Sequence, residues 1–189
     1  PADGETVDLC MIKADNYDSV FIETPNVTLK GRSDILLDML FVVKDGLKTK
    51  IILDNVRTKT SKEAPALMLG VNCEAEIEAV GKNELDGKGI YVPQSSSIKL
   101  TGSGEMKIIS NKTDCYAIGA DSRETPGNIV VAMVGTLYIE ANGDSVVAIG
   151  GGKNDCSNVI RFISGDITIA CSGRKCVAAG ISDGGSIVD

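Results

Sequence analysis

Glu74-Ala75-Glu76-Ile77-Glu78 sets three carboxylates at alternate positions, and alternate residues of a strand share one face. Carboxylates converging on a sheet face are what a polysaccharide lyase or hydrolase needs, to hold Ca²⁺ or to flank a glycosidic bond. Here Lys50 precedes the segment and Lys99 follows it, on strands expected to lie on either side. Opposite charges on adjacent strands favour a solvated, balanced face over an active site. Asp121 and Glu124, and Asp155 with Asn154, offer oxygen ligands to Ca²⁺ in turns, but without the fixed ligand spacing of a calcium loop. They are read as ordinary polar turns, and neither a cofactor nor a metal is assigned. The absence of histidine removes Ser-His-Asp and Cys-His nucleophilic arrangements and His-based zinc catalysis. No glycine pattern of the nucleotide-binding kind follows a strand and opens a helix. The expectation is a protein that is not an enzyme.

The chain has six cysteines, at 10, 73, 115, 156, 171 and 176. They are too widely spread for a zinc module. Only Cys171 and Cys176 are close, and a turn between strands would bring their sulfurs together; the alternative is free thiols acting as small hydrophobes. Asn26-Val-Thr28 and Asn111-Lys-Thr113 match the glycosylation pattern at chance level.

The elements that position these residues follow from internal repetition. Tyr116-Ala-Ile-Gly119 recurs as Val147-Ala-Ile-Gly150 and Val177-Ala-Ala-Gly180, at spacings of 31 and 30 residues. Gly104-Glu-Met-Lys-Ile108, Gly135-Thr-Leu-Tyr-Ile139 and Gly165-Asp-Ile-Thr-Ile169 keep the same 31 and 30. Two phrases in step are the signature of stacked repeats. Each alternates apolar and polar residues, as a half-buried strand does. A third strand is expected between them, at Ile98-Lys-Leu100, Ile129-Val-Val131 and Val159-Ile160. Earlier repeats are shorter: Leu67-Met-Leu69 matches Ile90-Tyr-Val92 at 23 residues, and Ile77-Glu-Ala79 matches Ile98-Lys-Leu100 at 21. Arg161 falls where an inward residue is needed, so a one-residue slip burying Ile160 and Phe162 is expected.

The fold class expected is all-β: a right-handed, single-stranded parallel β-helix, a solenoid of strand-and-turn rungs. Residues 1–189 form one domain, a piece of a longer protein, with a less regular cap and first strand at 1–49 and repeating rungs at 50–189. In the cap, Val27-Thr-Leu29 reads as a strand. Ile35, Leu36, Met39, Leu40 and Val43 follow helical spacing, with Ser33 as N-cap and Gly46 as stop.

If the core residues point inward, Met68, Tyr91, Ala117, Ala148 and Ala178 form an outward apolar row, and Lys107, Tyr138 and Thr168 form another. Sugar rings lay their C–H faces on aromatic or flat apolar surfaces. The ligand-binding candidates are therefore Tyr91, Tyr138, Met68, Lys107 and Thr168. The alternatives for the first row are docking of another domain and burial under the long turn at 119–127.

Composition narrows the partners. A net charge of −7 argues against nucleic acid, which needs a basic patch. No apolar run approaches the roughly 18–20 residues of a membrane span.

Ile51-Ile-Leu-Asp-Asn-Val56, Ala64-Pro-Ala-Leu-Met-Leu69, Ala75-Glu-Ile-Glu-Ala79 and Asn83-Glu-Leu-Asp-Gly87 make a distinctive series. With Gly89-Ile-Tyr-Val92, Ile98 to Ile108 and Ala148-Ile-Gly-Gly-Gly152, the stretch from 50 to 189 resembles a bacterial family of secreted, carbohydrate-binding-domain-containing parallel β-helix proteins. The resemblance implies export, a secreted or cell-surface location, and a polysaccharide, surface glycan or protein partner. It brings no sugar-contact residues with it. The function expected is a non-catalytic extracellular module that binds carbohydrate. The rivals are a lyase- or hydrolase-like enzyme and a purely structural adhesin stalk.

Overall fold

Alternation of buried and exposed residues governs nearly every segment. A computed structural model describes residues 1–61, 63–111, 116–121, 123–151, 159–174 and 176–181. The chain opens with β1 (Glu5–Asp8), α1 (Leu9–Ala14), β2 (Ser19–Ile22), β3 (Asn26–Lys30), β4 (Leu40–Val43), β5 (Lys48–Asp54) and β6 (Arg57–Lys59). It continues through β7 (Leu67–Leu69), β8 (Glu74–Val80), β9 (Lys82–Gly87), β10 (Ile90–Tyr91), β11 (Ser97–Gly102) and β12 (Glu105–Ser110). The last elements are β13 (Tyr116–Gly119), β14 (Asn128–Asn142), β15 (Val146–Gly151), β16 (Ile160–Ser172) and β17 (Cys176–Ile181).

Every ladder between these strands is parallel. Ten strands form one sheet in the order β1-β3-β5-β8-β11-β14-β12-β9-β6, with β16 also paired to β14; seven form the other, β17-β15-β13-β10-β7-β4-β2. This corrects the expected β-helix. That reading needed three separate strands per repeat divided by turns. Instead the segments at Ile129 and Leu137 are parts of one strand, β14, which pairs with β11 at its start and β12 at its end. The large sheet curls through β14 and β16 into an open half-barrel, and the second sheet shares its apolar core.

Glycines at the head of the second repeated phrase explain the difference. A Cβ on Gly135 would run into the carbonyl oxygen of Gly104, and one on Gly104 into that of Gly81. These glycines let backbones close in where the sheet bends, without ending the strand. Register shifts between Val131 and Thr136 take up the curl, and Val134 turns out to solvent there, 84% exposed.

Most of the repeat register agrees with the sequence. Ile118 stacks on Ile149, Gly119 on Gly150 and Gly150 on Gly180. Ile90 and Tyr91 pair with Leu67 and Met68. Ile129, Val130 and Val131 meet Ile160, Arg161 and Phe162, the register of the expected slip, but the burial expected with it does not follow: Ile160 is partly buried and Phe162 is 37% exposed. One match is off by two: Leu100 pairs with Ile77 and Ile98 with Ala75. An even shift leaves each side chain on its own face, so alternation alone could not reveal it.

The expected helix between Ser33 and Gly46 does not form. Leu37, Met39, Phe41 and Val43 are buried while Leu36 is exposed, a period of two that overrides the helical spacing. Gly46, with φ of 72°, turns the chain between β4 and β5. The helix lies earlier, at α1, where the Asp8 carboxylate accepts from the amides of Cys10 (2.9 Å) and Met11 (3.3 Å) and caps its start. Leu9 is buried from α1 into the core. The first residues also join the repeat, since Val7 pairs with Leu29 and Leu29 with Leu53.

Asn83 is one of the polar side chains buried inside. It is 3% exposed. Its side-chain oxygen accepts from the Val56 amide at 2.8 Å, and its amide nitrogen donates to the carbonyls of Val80 (3.0 Å) and Glu105 (3.3 Å). One side chain thus bonds backbone groups just before β6, at the end of β8 and at the start of β12, and the Val56 amide would otherwise be orphaned.

Candidate functional site

Three rows of side chains on the outer faces hold every candidate residue. On the first, β5, β8 and β11 align Lys50, Glu76 and Lys99. Lys50 Nζ lies 2.6 Å from Glu78 and 3.9 Å from Glu76, and Lys99 Nζ 3.6 Å from Glu76. Lys48 pairs with Glu74 at 2.8 Å. The hydrogen bond to Glu78 holds the Lys50 ammonium above its ordinary pKa, as Glu74 does for Lys48. All three carboxylates weighed for catalysis are therefore engaged by lysines.

The second row contains Arg57, Glu84, Lys107, Tyr138 and Thr168 in register. The five expected site residues thus divide between two sheets, with Lys107, Tyr138 and Thr168 here and Met68 with Tyr91 on the other. Lys107 Nζ lies 5.4 Å from the Tyr138 ring centre and 3.3 Å from Glu140. A cation thus lies over its face, and Thr168 stands beside it on the next strand. Arg57 pairs with Glu84 at 3.2 Å and Lys82 with Glu105 at 3.4 Å along a shallow groove of about 480 Å³.

The third row runs from Met68 through Tyr91 to Gly119 and Gly150. Ala117 and Ala148 are fully buried, so this part of the expected apolar strip is not exposed. Both belong to the hydrophobic core cluster, and the turn before β14 packs nearby: Pro93 bridges Pro126, the Gly127 amide donates to Val92 at 2.9 Å, and a Cβ on Gly151 would meet the Pro126 ring. Ala178, in the last repeat, is exposed.

Tyr91 itself is half-exposed. Its ring centre is 6.0 Å from that of the buried Tyr116, and its hydroxyl donates to Glu124 at 2.9 Å. Together they edge a concavity of about 630 Å³, completed by Val71, Pro93, Gln94, Ser95, Arg123 and Thr125. Burial first, then the bond to Glu124 and the charges of Glu124 and Asp121, push the Tyr91 hydroxyl up to about 12. Sequence reasoning found Tyr91 but placed Glu124 among calcium candidates and missed Pro93, Gln94, Ser95 and Arg123. The available signal was the long insertion facing a row reduced to Gly119 and Ala117, because small residues leave room for a returning turn.

The raised pKa has a measurable consequence. The folded chain keeps the Tyr91 proton where an unfolded one, near 10, has lost it. The stability it contributes is complete below pH 10 and lost as pH climbs to about 12. Spectrophotometric titration of the phenols should show a late step that disappears in Tyr91→Phe; an unchanged late amplitude would mean the Glu124 link is not made.

Among the described residues no group of three or more His, Cys, Asp and Glu is arranged to hold a metal, and no helix is long and apolar enough to cross a membrane. Asn154, Asp155, Cys115 and Cys156 lie outside the described residues. Cys171 and Cys176 form a disulfide with Cα atoms 5.9 Å apart, and Cys10 and Cys73 are free. No protein-family model, curated protein or solved structure matches the chain.

Proposed function

We propose that this chain is a non-catalytic carbohydrate-binding module working outside a bacterial cell, secreted or on its surface, and that the Tyr91 concavity is its sugar site. The observation that carries the reading is the fixing of Tyr91 by Glu124 and Tyr116 at the edge of a concavity. A sugar needs a rigid apolar face bordered by hydrogen-bonding groups, and rigidity before binding lowers the entropy lost on it. Gln94, Arg123 and Glu124 supply donors and acceptors at the border. Two carboxylates, Asp121 and Glu124, beside one guanidinium and a chain charge of −7 favour a neutral glycan over an acidic one. The engagement of Glu74, Glu76 and Glu78 by lysines supports binding without turnover. The Cys171–Cys176 bridge suits an oxidising location.

A glycan array followed by calorimetry tests this. The chain should bind a neutral glycan, and Arg123→Ala or Gln94→Ala should each weaken it by about 1.5 kcal/mol, with little change in melting. Tyr138→Ala should leave affinity intact, since Lys107 already covers that ring. Failure to bind any glycan would overturn the sugar reading in favour of a stalk or protein-docking role. Affinity lost only with Tyr138 would move the site to the groove of the second row.

A further inference from the structure

The concavity at Tyr91 draws its lining from separate turns. Val71 follows β7, Gln94 and Ser95 follow β10, and Arg123 and Glu124 follow β13. These strands are neighbours in the second sheet, β7 beside β10 and β10 beside β13. The lining therefore climbs through three layers of the stack, across the strands and along the axis. Neighbouring strands lie about 4.8 Å apart, so two such steps make a trough about 10 Å long, more than one sugar ring occupies. Its volume of about 630 Å³ is that of sites for ligands larger than a single hexose.

The layers are tied to one another along this path. The Asn72 amide donates to Ser95 Oγ at 3.0 Å, from the first layer to the second. Between the second and third, the Tyr91 hydroxyl donates to Glu124 and the Gly127 amide to the Val92 carbonyl, both at 2.9 Å. Tyr91 thus stands midway, one layer from Val71 and one from Arg123. At the Val71 end the next turn is Lys44–Gly46, where the Gly46 amide donates to the Val71 carbonyl at 2.8 Å. Those three residues are exposed and none of them lines the concavity, so that layer raises no wall across it. A site for one sugar gathers its polar groups around one ring, whereas Gln94 and Arg123 stand on different layers.

We propose that this site takes a linear neutral glycan laid along the stack axis, with one ring on Tyr91 and its neighbours over Val71 and toward Arg123. The inference rests on the sugar reading of the concavity and adds to it the form of the ligand and its direction.

Calorimetry with cello-, xylo-, manno- and malto-oligosaccharides, each from monosaccharide to hexasaccharide, tests it on the chain as it stands. In the series that binds, affinity should rise at least about tenfold from monosaccharide to trisaccharide and level off once the trough is full. Val71 is 48% exposed, so Val71→Glu and Val71→Arg should fold with unchanged melting. Each fills the lower end of the trough, and both, despite opposite charge, should erase most of the gain with length. Equal affinity at every length leaves the sugar site standing and overturns the chain reading, as does a gain that neither Val71 variant reduces. Binding of no member of any series defeats the sugar site and this inference together.

Discussion

Ile139→Asp should leave no soluble folded protein. Ile139 is fully buried and stacks between Ile108 and Ile169 in the bent part of the large sheet. A carboxylate there meets only hydrocarbon along its ladder, and burying it uncharged still removes a polar group from water. The combined loss of packing and solvation should exceed about 5 kcal/mol, comparable to the whole stability of a marginal domain. Ile108→Asp should behave alike. Lys107→Asp and Thr168→Asp, outward on the neighbouring row, should shift melting by no more than a few degrees. Lys107→Asp should be the worse of the two, because it sets a carboxylate near Glu140. Comparison of soluble yield and melting for the four variants measures this, and equal damage from inward and outward positions would refute the register.

Asn83→Leu should be the next most damaging change, although it keeps the residue's size and raises its hydrophobicity. The substitution strands the Val56 amide and removes one donor from the Val80 and Glu105 carbonyls, of which Val80 still accepts from the Asn55 amide at 3.1 Å. An orphaned buried group costs about 1–3 kcal/mol, so a loss of at least about 1–3 kcal/mol is expected in denaturant titration. Asn83→Asp is the informative control. It retains the acceptor for Val56 and, once protonated, can also donate, so it should recover part of the deficit at low pH and less at neutral pH, where a buried carboxylate faces two carbonyl oxygens. If Asn83→Leu is neutral, water reaches this interior and the amide is not needed.

The repeat was legible because stacking requires like beside like: Ile108, Ile139 and Ile169 must share a column, so their phrases recur at a fixed interval. The strand at Leu67 and its partner at Ile90 were found by the same means. The curl was not legible. Gly104, Gly135 and Gly165 have the appearance of turns in a sequence, and only their approach to one another in space reveals that the chain runs on. The helical spacing at Ile35 to Val43 failed for a related reason. Leu37, Met39, Phe41 and Val43 fit a strand as well as the other set fits a helix, and pairing of β4 with β2 and β7 decided between them. For the site, sequence could place Tyr91 on an outward row, because alternation is local. It could not place Glu124, whose hydroxyl partner is 33 residues away across a turn whose path no periodicity encodes.

Stacked parallel strands invite a particular mistake during folding. Their apolar columns are so alike that a strand can settle one layer away from its own and still bury everything it carries. In the middle of the stack the charges oppose it. In the native order Lys50, Glu76 and Lys99 alternate in sign, as do Arg57, Glu84 and Lys107. Skipping a layer would lay Lys50 against Lys99, and Arg57 against Lys107. Each exposed pair contributes only about 0.2–1 kcal/mol when correct, and like charges across adjacent strands are unfavourable by a similar amount. A misplaced strand loses the first and suffers the second at several positions at once. At these layers the surface ion pairs act less as glue than as a proofreading code, a check that penalises a strand settled one layer from its own place.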